Sequence, residues 1–141
     1  MMPFLFGEPA RRPLRHFRRW LRVGWLLIIT IIILELIPEP QSELFKELTP
    51  NDKIEHFIAY GTLMAWFVQL YHPLRTRIVL ALLFIGMGVG LEFLQGLTFY
   101  RTFDVYDMLA NSIGVLLGLM LSFGSLGQLL ARFESRPQRA E

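Results

Sequence analysis

The chain has 141 residues, room for one compact unit, and 53% of them are hydrophobic against 18% charged. With charges shut out of four long stretches, that ratio excludes an ordinary soluble domain, which must spread charge over its whole surface. The lack of cysteine excludes disulfides, thiolate catalysis and zinc–thiolate centres. The pI near 9.3 comes from arginines gathered at the ends of apolar runs, where they set topology more often than they bind a phosphate backbone.

In chain order, a basic arm over residues 1–22 comes first, with Arg11, Arg12, Arg15, Arg18, Arg19 and Arg22. The first apolar run, residues 23–37, is closed by Pro38-Glu39-Pro40; Trp20 and Leu21 extend it, and Glu35 lies about a turn from its far end. A cleaved signal peptide is the alternative for this run, but no small-x-small site follows it, so a retained signal anchor is favoured. The loop to Lys53 carries Glu39, Glu43, Glu47 and Asp52, and Ser42–Leu48 has the pattern of a short interfacial helix. The second run covers residues 54–71, and the third covers 78–99, broken only by Glu92 and Gln95. The fourth covers 105–126, and residues 132–141 form a polar tail. Each run approaches the roughly 20 residues that a bilayer core of about 30 Å requires of a helix. The predicted fold is all-α: an integral membrane four-helix bundle, its membrane domain spanning residues 23–131.

Orientation follows from the basic residues. Six lie in the arm, Arg75 and Arg77 in the second connection, and Arg132, Arg136 and Arg139 after the fourth run, leaving Lys46, Lys53 and Arg101 for the opposite side. Cytoplasmic loops carry the excess of Lys and Arg, so both termini are expected in the cytoplasm. The expected location is the bacterial plasma (inner) membrane, with several passes. The arm is expected on anionic headgroups, with Phe17 and Trp20 dipping into the bilayer.

Given this topology, the unusual polar residues fall at one depth, the outer interface. Asp52, His56 and Tyr60 recur at i, i+4, i+8 on one helix face, Glu92 and Gln95 are i, i+3 neighbours, and Asp104, Asp107 and Asn111 fall at i, i+3, i+7. The last face continues as Gly114, Gly118 and Ser122, a small-xxx-small row that permits close helix approach, and Gly86 and Gly90 offer a similar pair in the third run. Three polar rows, with Lys53 and Arg101 beside them, are therefore expected to converge in one pocket open to the outside. Glu35 is read as interfacial, Gln69 as an interhelical donor, and His16 and His72 as surface residues of the opposite side.

The residues of that layer also carry a resemblance. Asp52-Lys53-x-x-His56-Phe57-x-x-Tyr60, then Glu92-x-x-Gln95, then Arg101 with Asp104-x-x-Asp107-x-x-x-Asn111-x-x-Gly114, resemble the VanZ-like family of small bacterial membrane proteins. The likeness runs from about Asn51 to Gly118; the first run matches only in being hydrophobic. The family is named for a protein linked to low-level teicoplanin resistance, and its members have no settled biochemical activity. The resemblance therefore implies the topology and the residue set more than a reaction, together with a bearing on glycopeptide susceptibility.

Intramembrane ionisable groups are costly and usually serve something. The leading functional expectation is a ligand-binding site made of Asp52, Lys53, His56, Tyr60, Glu92, Gln95, Arg101, Asp104, Asp107 and Asn111. It would take a lipid-linked or amphipathic cell-envelope molecule. Its partners would be membrane lipids, a lipid-linked cell-wall intermediate or a glycopeptide, with no nucleic acid, and a homo-oligomer is left open. The alternative is a hydrolase or transferase acting on a phospholipid-like or polyprenyl-phosphate substrate, with His56, Glu92 and Asp107 as catalytic groups. No second paired histidine, HExxH or recognisable nucleophile accompanies His56, which disfavours an enzyme, and no cofactor or metal is assigned. The remaining reading is structural, with the polar residues only bridging helices.

Overall fold

A computed structural model describes residues 3–38 and 52–135, with side chains from Leu5 onward and excepting that of Asp52. The expected interfacial helix over Ser42–Leu48 and the loop carboxylates Glu39, Glu43 and Glu47 lie outside the described residues. The fold is all-α. Helix α1 is Phe17–Leu36, α2 is Asp52–Leu70, α3 is Leu74–Gly96, α4 is Val105–Met120 and the short α5 is Leu129–Ser135.

Local chemistry sets the boundaries. Ile37 leaves α1 with extended backbone because Pro38 follows it. Pro73, itself extended, sits just ahead of α3, where a missing N–H costs nothing. Asp104 caps α4 by accepting from the Tyr106 amide at 2.8 Å. The fourth apolar run does not continue as one helix to Leu126. The α-helix ends at Met120, tightens into a 3-10 turn over Leu121–Phe123, and breaks at extended Gly124.

Helix α2 is the core of the bundle, and its Tyr60, Leu63, Met64, Phe67, Val68 and Leu70 are buried. It packs backbone to backbone on α4 through Gly61, Gly114 and Gly118. A Cβ at Gly114 would lie 2.4 Å from the Phe57 carbonyl oxygen, and one at Gly118 would lie 2.6 Å from that of Gly61. Gly86 and Gly90, expected to play the same part in α3, instead face open space. The buried glycine of α3 is Gly88, against Asn111 and Tyr60. Gly88 shares a face with Glu92 and Gln95, whereas a two-residue step turns a helix by about 160°.

One end of the bundle gathers the basic segments. The arm folds back along the α2–α3 connection, where the Arg12 amide donates to the Leu70 carbonyl at 2.7 Å and His72 N to the Ala10 carbonyl at 3.3 Å. Ala10 and Leu14 are buried there. Phe17 and Trp20, expected in lipid, pack on Tyr71 and on Trp66 with Phe133. Arg77, buried, donates to the carbonyls of Tyr71 at 2.8 Å, Val68 at 3.2 Å and Ser122 at 3.4 Å. A fixed cation at the carbonyl ends of α2 and α4 complements both helix dipoles. Gln69 ties α2 to the C-terminal segment, donating to Leu126 O at 2.8 Å and accepting from Leu130 N at 3.3 Å. His16 lies beside Glu134 of α5, its Nδ1 3.3 Å from the carboxylate, while His72 is exposed.

The exterior of the bundle is apolar. Leu82 and Leu83 of α3, Ile113 and Leu116 of α4, and Trp25, Leu26 and Ile29 of α1 are all exposed, an arrangement that suits lipid and not water. Leu74–Gly96 and Val105–Phe123 are long and apolar enough to cross a bilayer. Helix α1 is interrupted in composition by Arg18, Arg19, Arg22 and Glu35, and α2 by the polar residues of its first two turns.

Candidate functional site

At the end opposite the basic segments, four helices contribute to one polar cluster. Its centre is His56, on the second turn of α2 and 7% exposed. Nδ1 of the imidazole lies 3.4 Å from Glu35 Oε1 of α1, and Nε2 lies 3.8 Å from Asp107 Oδ2 of α4. One turn deeper on α2, the fully buried Tyr60 donates its hydroxyl to Glu35 Oε2 at 3.3 Å. Lys53, one turn shallower, reaches Asp104 Oδ2 at 2.9 Å and Asp107 Oδ1 at 3.3 Å. The i, i+3 and i, i+4 spacings read from the sequence place these groups on facing helix surfaces.

Helix α3 and the loop after it close the remaining side. Glu92, 1% exposed, accepts the Asp104 amide at 2.6 Å. Gln95 Nε2 and Arg101 Nη1 both donate to the Glu35 carbonyl, at 2.7 and 3.2 Å, and the Tyr100 hydroxyl donates to the Leu36 carbonyl at 2.9 Å. These donors satisfy the carbonyls that the end of α1 would otherwise leave open. At the rim, the hydrogen bond and charge of Lys53, with the Tyr106 amide, hold the Asp104 carboxyl below its ordinary range.

Asn111 forms the floor, one turn below Asp107 on α4. It is 1% exposed, and neither amide atom meets a hydrogen-bond partner among the described residues. Its side chain packs by Gly88, whose lack of a side chain leaves room for it and for the Tyr60 ring. A buried amide left unpaired costs about 1–3 kcal/mol, so its retention calls for a reason.

The structure thus brings together Lys53, His56, Tyr60, Glu92, Gln95, Arg101, Asp104 and Asp107, with Asn111 beneath them. Asp52 opens α2, but its side chain lies outside the described part. The site residue that the sequence reading leaves out of the cluster is Glu35, which the structure buries at its centre, touching His56 and Tyr60. Its signal was an ionisable residue inside an apolar run at the depth of the other polar rows. Chemically, the imidazole is braced by a carboxylate on each nitrogen, which favours a held, charge-balanced group. Glu35 and Asp107 on opposite nitrogens do not converge with His56 on a single metal ion. Among the described residues, no three of His, Asp or Glu have an arrangement that would hold one.

An uncharacterized protein of Schizosaccharomyces pombe, C11E3.10, is 39% identical over 75 residues, 51% of this chain and 46% of that protein. The match therefore spans just under half of that relative's length. No solved structure matches. The VanZ/LLP1 family profile covers residues 9–127, from the arm through the whole site. With a match over most of its length, the chain belongs to the VanZ/LLP1 family.

Proposed function

We propose that the chain crosses the membrane four times with its basic end in the cytoplasm, and that the opposite cluster binds the polar head of a lipid-linked or amphipathic cell-envelope molecule. The observation that carries this reading is Asn111. Among the described side chains, Lys53, His56, Tyr60, Glu92 and Gln95 each reach from one helix to another or to its cap, as a purely structural network would. The Asn111 amide joins nothing among the described residues, yet it is buried beneath them. It offers a donor and an acceptor side by side, suited to a hydroxyl or amide group of a ligand head. At the same end of the bundle, Phe93, Leu94, Leu97, Phe99 and Phe103 are exposed and supply apolar surface for the hydrocarbon part of such a molecule.

Binding fits the geometry better than hydrolysis or group transfer. A general base needs one nitrogen directed at substrate, and both nitrogens of His56 face carboxylates. The test is native mass spectrometry of gently purified protein. The wild-type chain is expected to carry a lipid-like molecule that the near-isosteric Asn111→Leu variant loses while keeping its helical content. Retention of the same molecule by both proteins, or none in either, sinks the binding reading. A stoichiometric divalent ion lost in His56→Ala would instead favour the hydrolase. In a bacterial host, teicoplanin tolerance normalised to expression should fall with the bound molecule in Asn111→Leu.

A further inference from the structure

A second surface lies at the other end of the molecule, where α1 begins. Arg15, Arg18 and Arg19 are exposed, and none has a carboxylate partner among the described residues. The nearby carboxylate, Glu134, is already engaged. It accepts from the Arg15 and His16 amides and the Trp20 indole, with His16 Nδ1 beside it. Glu134 thus occupies the two amides just ahead of the helix, and the arginine side chains supply the attraction for a further anion. Beside them is an open surface hollow of about 320 Å³, lined by Leu14, Arg15, His16, Phe17, Arg18 and Arg19.

The exposed face that starts at this hollow changes character along α1. From Arg18 it passes Arg22 and then Trp25, Leu26, Ile29 and Ile33, all exposed. Basic groups above an apolar stripe on one helix face match the two parts of an anionic lipid. Guanidinium groups suit phosphate because they donate in pairs to its oxygens. We propose that this hollow seats the phosphate headgroup of an anionic phospholipid, one of whose acyl chains lies along Trp25, Leu26, Ile29 and Ile33. The apolar stripe decides for a phospholipid over free phosphate, which has nothing to place there.

This inference rests on α1 lying in the bilayer, which is checked separately. Quenching of tryptophan fluorescence by lipids brominated in the acyl chain should drop in Trp25→Phe, whatever the headgroup. The binding test uses the full chain in nanodiscs of equal phosphatidylglycerol and phosphatidylcholine, with co-released lipid read by native mass spectrometry. Wild type should be enriched in phosphatidylglycerol. Apparent affinity should fall about fivefold for each arginine replaced in Arg15→Gln, Arg18→Gln and Arg19→Gln, while the triple Arg→Lys variant, which keeps the charge but not the paired donors, should recover only part of it. Unchanged enrichment in the triple Gln variant overturns the proposal. So does an equal loss in Arg75→Gln/Arg132→Gln, whose exposed arginines are not among those lining the hollow. Release of the lipid by millimolar inorganic phosphate would show a free-anion site and overturn it too.

Discussion

Gly114→Ala, set beside Gly86→Ala, tests whether the α2–α4 contact holds the polar cluster together. Both substitutions add one methyl group inside a helix, so both gain the same propensity, up to about 1 kcal/mol. At Gly86 nothing lies within 4 Å of the new carbon, and that gain is the whole effect. At Gly114 the carbon would lie 2.4 Å from the Phe57 carbonyl oxygen and 3.0 Å from the Gly61 amide nitrogen. Restoring an ordinary 3.4 Å contact separates α2 from α4 by about 1 Å, and overpacking costs typically 1–3 kcal/mol. The clashing atoms are backbone and cannot swing aside, which selects the upper end of that range. The net result is a loss of about 2 kcal/mol against a gain of about 1 kcal/mol for Gly86→Ala. Unfolding in mixed micelles by added dodecyl sulfate, followed by tryptophan fluorescence, measures the difference. Asp107 lies seven residues before Gly114 on the same face, so the variant should also loosen the 3.8 Å approach to His56 and lose bound ligand. A Gly114→Ala protein as stable as Gly86→Ala would refute the reasoning.

Other substitutions probe the two ends separately. Arg77→Leu leaves the carbonyls of Val68, Tyr71 and Ser122 without their common donor and should cost about 3 kcal/mol in the same unfolding assay; Arg77→Lys, which cannot reach all three, should recover only part. Asn111→Leu removes an unpaired buried amide and should raise stability by about 1–2 kcal/mol while abolishing ligand retention; a destabilised variant would mean the amide is already paired. At the basic end, burial pushes the Glu134 carboxyl up, but donation from the Trp20 indole and the His16 and Arg15 amides outweighs this and holds it below its ordinary 4.5. A carboxyl lowered by folding contributes its full stability above its unfolded value and loses it as pH falls through the folded one. Trp20 emission should therefore be constant above about pH 4.5 and shift on further acidification. In Glu134→Gln that shift should be absent, and its persistence would exclude Glu134 as the titrating group.

Much of the site was legible because helix periodicity alone aligns its rows. Asp104, Asp107 and Asn111 share a face by spacing, and so do His56 and Tyr60. Glu35 was not legible in the same way. A single carboxylate in an apolar run has no neighbour at helical spacing, and its partners His56 and Tyr60 come from a later segment. The glycines divide similarly. Gly114 and Gly118 continue a polar face and could be placed, whereas Gly86 and Gly90 formed a plausible pair that the phase of Glu92 and Gln95 contradicts. The fold-back of the arm rests on main-chain donors, as in Arg12 N to Leu70 O, which any residue type can supply and no pattern announces. Beyond α4 and its 3-10 turn, the helical path breaks at extended Gly124, an effect of one residue inside an apolar run.

The burial pattern of α1 has a mechanical consequence. Along its length this helix buries Gly24, Ile31 and Glu35, while its two extremities are pinned, by Trp20 to Trp66 and Glu134 and by Glu35 to α2, α3 and the loop after α3. It is a strut fastened at both ends of the bundle. Membrane helices answer a thinner bilayer by tilting, and a strut fixed in this way can tilt only by pulling on its fastenings. With α1 in the bilayer, as proposed, strain from the surrounding lipid would arrive at the carboxylate that braces His56, so the thickness of the host membrane should itself tune how tightly the cluster closes.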